Sequence, residues 1–186
     1  MSINSWNINN EWTLFLDRDG VINQRIFGGY VTNPQAFIFN EGVLEAIASF
    51  SRVFERIVVV TNQQGIGKGI MTERNLFEIH DYMVKEITEA DGRIDKIYFA
   101  SNLRGAENDE RKPTPAMGLR AAKDFPEIDF NRSIMVGDTD SDILFGKNLG
   151  MKTVRILSEE KATEPADLDV DDLLTLSKLL ENEISA

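Results

Sequence analysis

The chain of 186 residues contains no cysteine and only one histidine. The absence of cysteine excludes disulfide bonds and thiolate metal sites within the chain. No apolar run approaches the roughly 18 residues that a membrane-spanning helix needs. No basic and apolar leader opens the sequence either, so a cytoplasmic location is the expectation.

Positive charge is also scarce, since 20 lysines and arginines stand against 31 acidic residues and give a net charge of −11. Such a chain repels polyanions, so neither nucleic acid nor an anionic membrane is an expected partner. A small phosphorylated metabolite is compatible with this charge, because local positive charge at a site can outweigh the overall field. The length predicts a single domain over 1–186, as a monomer or small homo-oligomer, with 1–10 as a loose arm that Trp6 pins to the body.

Short apolar segments alternate with segments of helical periodicity along the chain. This alternation predicts a parallel sheet with right-handed crossovers, which is a three-layer, Rossmann-like α/β fold. A linker over 161–169 and a final amphipathic helix over 170–181 are predicted to follow the last strand. The predicted strands are 12–16, 57–62, 96–100, 133–138 and 152–157.

Two carboxylates one residue apart follow the first predicted strand, in Leu16-Asp17-Arg18-Asp19-Gly20. If the backbone stays extended here, Asp17 and Asp19 face the crevice beyond the strand and Arg18 points elsewhere. A carboxylate nucleophile beside a second carboxyl as acid and base is suited to splitting a phosphate monoester in two steps. An isolated pattern of this kind is more often an aspartate-rich turn, so the interpretation depends on the rest of the site.

Further polar groups follow in the order that such a site needs. Thr61 ends the second strand, Lys112 follows a polar loop, and Asp138 ends the fourth strand with Asp142 four residues later. Thr61 and nearby backbone N–H groups can hold phosphoryl oxygens, and Lys112 can neutralise charge. Asp138 can join Asp17 in binding a hard divalent cation. Asp142, one helical turn beyond Asp138, either reaches the same ion through water or holds Lys112.

Four segments in this order resemble the signature motifs of the haloacid dehalogenase (HAD) superfamily of aspartate-nucleophile phosphatases: D-R-D-G-V, V-V-V-T-N-Q, R-K-P and G-D-T-D-S-D. The resemblance covers about residues 12–157 and implies a HAD-like fold. It also implies a capless enzyme, because both usual cap positions are short. The resemblance further implies Mg²⁺ held by Asp17, Asp138 and the backbone carbonyl of Asp19. Catalysis would pass through an aspartyl phosphate on Asp17, with Asp19 protonating the leaving group and then activating water.

A closer resemblance is to heptose 1,7-bisphosphate phosphatases and histidinol-phosphate phosphatases. The segments that carry it are Gly29-Tyr30-Val31, Thr61-Asn62-Gln63-Gln64-Gly65-Ile66, Arg111-Lys112-Pro113 and Met135-Val136-Gly137-Asp138. The similarity implies D-glycero-D-manno-heptose 1,7-bisphosphate as substrate and heptose 1-phosphate as product, with histidinol phosphate or another small metabolite as the alternative. Members of this subfamily commonly carry a Cys/His zinc loop before R-K-P, whereas residues 101–110 contain neither residue type. The residues expected to contact substrate are Asn62, Gln63, Arg111, Arg25 and Tyr30.

A phosphate-accepting receiver module is the main alternative from another class. Receivers also combine an acidic metal pocket, a threonine or serine, and a lysine on a parallel sheet. Asp19 argues against this alternative, because a carboxyl that activates water would destroy a long-lived phosphoaspartate. A catalytically inactive binding protein is disfavoured because every expected catalytic residue type is present.

The single histidine, His80, falls on the same helical face as Leu76, Met83 and Ile87. This spacing predicts a packed side chain rather than a metal ligand or a general base. His80 is therefore left out of the predicted site.

Overall fold

The computed structural model describes residues 3–184 and has a parallel sheet at its centre. Its strands are β1 (Thr13–Leu16), β2 (Arg56–Asn62), β3 (Lys96–Ala100), β4 (Ser133–Gly137), β5 (Lys152–Ile156) and β6 (Leu168–Val170). The strand order is β3-β2-β1-β4-β5-β6, and every pairing is parallel. The predicted parallel α/β sheet is confirmed.

Helices cover both faces of this sheet. They are α1 (Val43–Val53), α2 (Gln64–Gly67), α3 (Glu73–Glu89), α4 (Ala116–Asp124), α5 (Asp140–Leu149) and α6 (Leu173–Ile184). No cap domain interrupts the connections between residues 3 and 184, which confirms the capless architecture. Within the same residues, no helix combines the length and the apolar character needed to cross a bilayer.

The apolar strands explain why the sheet is covered on both faces. Leu14 and Leu16 of β1 belong to the core under α1, α3 and α6, whereas Phe15 belongs to a second core under α4 and α5. The same alternation recurs in β2 and β4. Strands that are apolar on both faces are typical of parallel sheets between two helical layers.

The position of β1 decides where the site forms. Leu16 at its end pairs with Val59 of β2 on one side and with Val136 of β4 on the other. The chain turns to opposite sides of the sheet from this point, with β2 and β3 on one side and β4 to β6 on the other. In open α/β sheets, ligands bind beyond the carboxyl ends of the strands at such a switch point.

The prediction for the C-terminal end of the chain is wrong, whereas the contact predicted for Trp6 at the N-terminal end is confirmed. The predicted linker contains β6, whose Val170 pairs with Ile156 of β5, and the last helix begins after this strand at Leu173. Trp6 is 5% exposed and Ile3 is 4% exposed, and both join the first core, so these two residues tie the N-terminal segment to the body. Residues 1 and 2 of the predicted arm lie outside the described residues.

Candidate active site

Asp17 and Lys112 form the buried centre of the site. Asp17 directly follows β1, and its backbone N–H donates to the carbonyl of Val136 at 2.9 Å. Lys112 Nζ lies 2.7 Å from Asp17 Oδ1 and 2.6 Å from Asp142 Oδ1, and it donates to the carbonyl of Val60 at 2.7 Å. Lys112 thus joins the ends of β1 and β2 to the first turn of α5. Its pKa is raised, because the charges of Asp142 and Asp17 outweigh the effect of burial.

Three buried carboxylates crowd this point, since Asp17, Asp138 and Asp142 each place an oxygen within 4.8 Å of the others. Burial raises the pKa of Asp17 to about 8, although the nearby positive charge of Lys112 acts to lower it. Burial and the charge of Asp142 raise the pKa of Asp138 to about 6. Asp138 Oδ1 is buried and accepts no hydrogen bond from any described residue. Crowded carboxylates with an unpaired oxygen are a donor set that fits a hard divalent cation.

The start of α5 holds Asp142 in place. Thr139 caps the helix, and both its backbone N–H and its hydroxyl donate to Asp142 Oδ2, at 3.0 and 2.6 Å. The other oxygen of Asp142 faces Lys112. A side chain at Gly137 would collide with Asp142, because a Cβ there would lie 2.0 Å from Asp142 Cβ. Of the two predicted roles of Asp142, this geometry shows the contact with Lys112.

Asp138 follows β4 and lies against Gly20 and Arg25. A Cβ at Gly20 would lie 2.2 Å from Asp138 Oδ2, and the φ of +95° there also favours glycine. Arg25 Nη1 donates to Asp138 Oδ2 at 2.9 Å, and its Nη2 lies 3.2 Å from Glu160. Arg25, predicted to contact substrate, therefore lines the cavity while it pairs with two acidic side chains.

The carboxylate of Asp19 accepts hydrogen bonds from three neighbours. Arg18 Nη2 donates to both oxygens at 2.8 and 2.9 Å, and the amides of Asn23 and Gln63 donate at 3.0 and 2.9 Å. Burial acts to raise the pKa of Asp19, but the charge of Arg18 and these hydrogen bonds lower it overall. Arg18 is fully buried, and its guanidinium contacts the carboxylate of the next residue, Asp19. Sequence reasoning missed Arg18 and Asn23, and the only available signal was a cation between two aspartates.

Two amides beyond β2 contact other site residues. Gln63, predicted to contact substrate, is 1% exposed, and its amide donates to Thr61 Oγ1 as well as to Asp19. Asn62 accepts from the backbone N–H of Lys112 at 2.9 Å and donates to the Lys112 carbonyl at 3.2 Å. Thr61 and Asn62 line the cavity at this site, whereas Gln63 is not one of the lining residues. The geometry thus places Gln63 against two site residues instead of the substrate space.

One cavity of about 510 Å³ is lined by the carboxylates of the site together with Thr61 and Lys112. The cavity is also lined by three basic residues that are more exposed than the buried centre. We call them the cationic rim: Lys68, Arg104 and Arg111. Lys68 Nζ lies 5.5 Å from the ring centroid of Tyr30, which also lines the cavity. Burial and the charge of Arg104 lower the pKa of Arg111. Arg111 Nε is buried without a hydrogen-bond partner between residues 3 and 184.

The loop before Arg111 is organised by a carboxylate. Asp109 accepts a hydrogen bond from the backbone N–H of Gly105 and another from that of Arg111, both at 3.0 Å. Side-chain to backbone bonds of this kind stabilise compact turns. Asp109 therefore closes the loop and sets the start of the segment that carries Arg111 and Lys112.

Comparison with known proteins identifies the family. The HAD-hydrolase-like family model matches residues 110–175. The chain is 40% identical over 148 residues to the D-glycero-alpha-D-manno-heptose-1,7-bisphosphate 7-phosphatase of Campylobacter jejuni, covering 80% of this chain and 83% of the relative. It is 34% identical over 153 residues to the D-glycero-beta-D-manno-heptose-1,7-bisphosphate 7-phosphatase of Helicobacter pylori, covering 82% and 86% of the two chains.

Solved structures agree with the sequence comparison. The D,D-heptose 1,7-bisphosphate phosphatase of B. bronchiseptica, solved in complex with magnesium and phosphate, has a TM-score of 0.84 at 26% identity and covers 92% of this chain and 99% of its own. The corresponding enzyme of Burkholderia thailandensis has a TM-score of 0.67 at 29% identity, with 91% and 98% covered. This chain is a phosphatase of the haloacid dehalogenase superfamily and belongs to the family of these relatives.

Proposed function

We propose that this phosphatase removes the 7-phosphate of D-glycero-D-manno-heptose 1,7-bisphosphate and leaves heptose 1-phosphate. One observation carries the proposal: a single cavity contains both the buried pair of Asp17 and Lys112 and the cationic rim of Lys68, Arg104 and Arg111. A sugar with a phosphate at each end complements both sets of residues. The names of the relatives from C. jejuni and H. pylori support the same substrate.

The alternative substrate, histidinol phosphate, fits the cavity less well. It carries one phosphate and an amine that is protonated at neutral pH. With its phosphate at Asp17, this ammonium group would face the cationic rim. Like charges at an interface oppose binding, so the rim favours a bisphosphate over an amino phosphate.

The proposed reaction begins with attack by a carboxylate oxygen of Asp17 on phosphorus. The new bond forms as the bond between phosphorus and the sugar oxygen breaks, which gives an aspartyl phosphate. Asp19 donates its proton to the departing oxygen. The negative charge of the bound phosphate favours the protonated form of Asp19 that this step needs. Thr61 and Lys112 hold and neutralise the phosphoryl oxygens.

In the second half, water attacks the same phosphorus while Asp19 takes one of its protons. The bond between phosphorus and Asp17 then breaks, and phosphate leaves with Asp17 restored as a carboxylate. One carboxyl therefore serves as acid in the first half and as base in the second. The attacking water and the leaving sugar oxygen use the same side of the phosphorus, which is why one group can serve both.

We assign the divalent cation as Mg²⁺, held by Asp17, Asp138 and the backbone carbonyl of Asp19. When bound, it would offset the repulsion between the carboxylates and the phosphate dianion. Lys112 offsets the rest, because its ammonium group already lies between Asp17 and Asp142. All three proposed ligand atoms are oxygens, the type that Mg²⁺ prefers.

We expect activity to require Mg²⁺ and to disappear with a chelator, whereas the purified protein should contain no stoichiometric zinc. Residues 101–110 offer neither cysteine nor histidine, and Asp109 already closes that loop. Asp138→Asn should weaken Mg²⁺ binding measured by calorimetry, whereas Asp169→Asn on the exposed side of β6 should not. One tightly held zinc per chain in elemental analysis would contradict this prediction.

Arg111→Ala is expected to raise KM for the sugar bisphosphate by about 10- to 100-fold, since a hydrogen bond to a charged group contributes about 1.5–3 kcal/mol. The KM for p-nitrophenyl phosphate should change little, because this substrate has no second phosphate to reach the rim. The matched control is Arg120→Ala, which removes an exposed arginine outside the cavity lining. Equal effects of Arg111→Ala on both substrates would show that Arg111 recognises nothing beyond the reacting phosphate.

A panel of phosphorylated metabolites tests the function itself. Phosphate release with Mg²⁺ should be fastest with D-glycero-D-manno-heptose 1,7-bisphosphate and much slower with heptose 7-phosphate or histidinol phosphate. The panel should include both anomers, because the relatives are named for different ones. Faster turnover of histidinol phosphate than of any bisphosphate would refute the proposed substrate.

A further inference from the structure

Arg18 has the largest fully buried side chain among the described residues. Its Nη2 donates to both oxygens of Asp19, and its Nη1 lies 3.3 Å from His80 Nε2. The guanidinium carbon lies 5.9 Å from the ring centroid of Phe37. Within residues 3–184, Arg18 Nε has no hydrogen-bond partner.

Stability alone does not account for this arrangement. The guanidinium of Arg18 loses its hydration on burial, whereas the side chain of Asp19 is still 28% exposed. Replacing a buried charge pair by apolar groups of similar volume is often neutral or stabilising, so the burial of Arg18 is costly for what it contributes to stability. The unpaired Nε of Arg18 adds a further desolvation cost. A costly local arrangement of this kind is typical of a functional site, where geometry matters more than stability.

His80 lies at the other end of the guanidinium from Asp19. It belongs to α3, is 6% exposed, and packs edge-on against Phe99 with ring centroids 6.4 Å apart. Burial and the charge of Arg18 lower the pKa of His80 to about 3, so the ring is neutral and Nε2 can accept from Arg18. The sequence prediction of a packed histidine is therefore confirmed. An acceptor at this point fixes the rotation of the guanidinium so that Nη2 faces Asp19.

We propose that Arg18 is a positioning residue for Asp19 and that His80 sets the orientation of Arg18. This inference rests on the proposed function, which assigns Asp19 as the acid and base. Without Arg18, the Asp19 side chain would keep one hydrogen bond on each oxygen, from Asn23 and from Gln63. These two amides leave it free to tilt away from the leaving oxygen. A helix residue outside the cavity lining thus controls proton transfer at the phosphate.

The test compares two leaving groups in the first half-reaction. A sugar alkoxide must receive a proton as it departs, whereas p-nitrophenolate departs at neutral pH without one. Arg18→Met keeps the length of the side chain and removes all its donors. We expect it to slow sugar release in a single turnover by about 10²-fold, which is the lower end of general acid catalysis. Release of p-nitrophenol in a single turnover should change far less.

Two variants of His80 provide the second arm. His80→Gln can keep an acceptor oxygen near the position of Nε2, whereas His80→Leu removes it. The glutamine variant should release sugar at nearly the rate of the unchanged enzyme. The leucine variant should slow sugar release more than p-nitrophenol release, as is expected of Arg18→Met. Ile79→Val, at the neighbouring buried position on α3, is the matched control, because it shortens a core side chain without removing a hydrogen-bond partner of Arg18. It should leave both single-turnover rates unchanged.

The outcomes separate this inference from the proposed function. Asp19→Asn should slow sugar release far more than p-nitrophenol release. If it does so and Arg18→Met slows both substrates equally, the positioning role is overturned and the proposed function stands. If Asp19→Asn itself fails to discriminate, the acid and base assignment falls and the inference falls with it. Should Arg18→Met not fold, equal behaviour of His80→Gln and His80→Leu would overturn the inference by itself.

Discussion

Asp17→Asn is expected to reduce phosphate release by at least about 10⁴-fold, the scale on which enzymes lose activity with their nucleophile. The amide is isosteric with the carboxylate but cannot form the aspartyl phosphate. The change also removes one of three crowded carboxylates, the others being Asp138 and Asp142, so the protein should stay folded. Phosphate release and a thermal melt measure the two expectations independently.

The matched control for this variant is Asp95→Asn, the same chemical change outside the cavity. Asp95 accepts from the backbone N–H of Ile57 at 2.7 Å and pairs with Arg93 and Arg56. Its loss should cost some stability and leave the kinetics unchanged. An acid-quenched sample of the unchanged enzyme during turnover should contain acyl phosphate that is absent from Asp17→Asn. Turnover by Asp17→Asn above a trace would rule out the covalent mechanism.

Lys112→Met is expected to damage both stability and catalysis. Lys112 Nζ is the cation between the buried carboxylates of Asp17 and Asp142, so its removal leaves buried charges without compensation. Breaking a buried ion pair from one side costs about 3–5 kcal/mol, which corresponds to a fall in Tm of about 10 °C for a chain of this size. The loss of a cation at the reacting phosphate should lower kcat by about 10²- to 10³-fold.

Lys96→Met is the control for Lys112→Met. Lys96 Nζ pairs with Asp124 at 2.8 Å, but this pair lies at the surface, with side-chain exposures of 48% and 38%. An exposed pair contributes about 0–1 kcal/mol, so the change in Tm should be small and kcat should be unchanged. The Tm of Lys112→Met should recover in part with added Mg²⁺, which supplies positive charge near the same carboxylates. If Lys112→Met and the unchanged protein have the same Tm when both are measured without metal, the role of Lys112 in joining these elements is contradicted.

The central strands and the groups at their ends were predictable because they depend on local pattern. Each of the strands ending at Leu16, Asn62 and Gly137 contains an uninterrupted apolar run, and a polar functional group lies at or directly after its end. Parallel strands bring their carboxyl ends to one edge of a sheet. Residues far apart in sequence therefore meet without any further information about side chains.

Elements with weak local pattern were not predictable. Strand β6 has three residues, Leu168–Val170, in an acidic segment without clear periodicity, and it forms because β5 offers an unpaired edge. Ile3 lies in a polar segment, yet it is buried in the core shared with α6. In both places, contacts with distant elements outweigh the local propensity.

Sequence alone determined that this chain forms a parallel α/β sheet and that carboxylates, a threonine and a lysine follow its strands and loops in the order of a phosphatase site. Tertiary structure alone decided the partners of each side chain. Arg18 was expected to point away from Asp19 and instead contacts it, because the packed position of His80 on α3 orients the guanidinium. Backbone periodicity sets the direction of a Cα–Cβ bond, but the end of a long side chain goes where distant elements supply a partner.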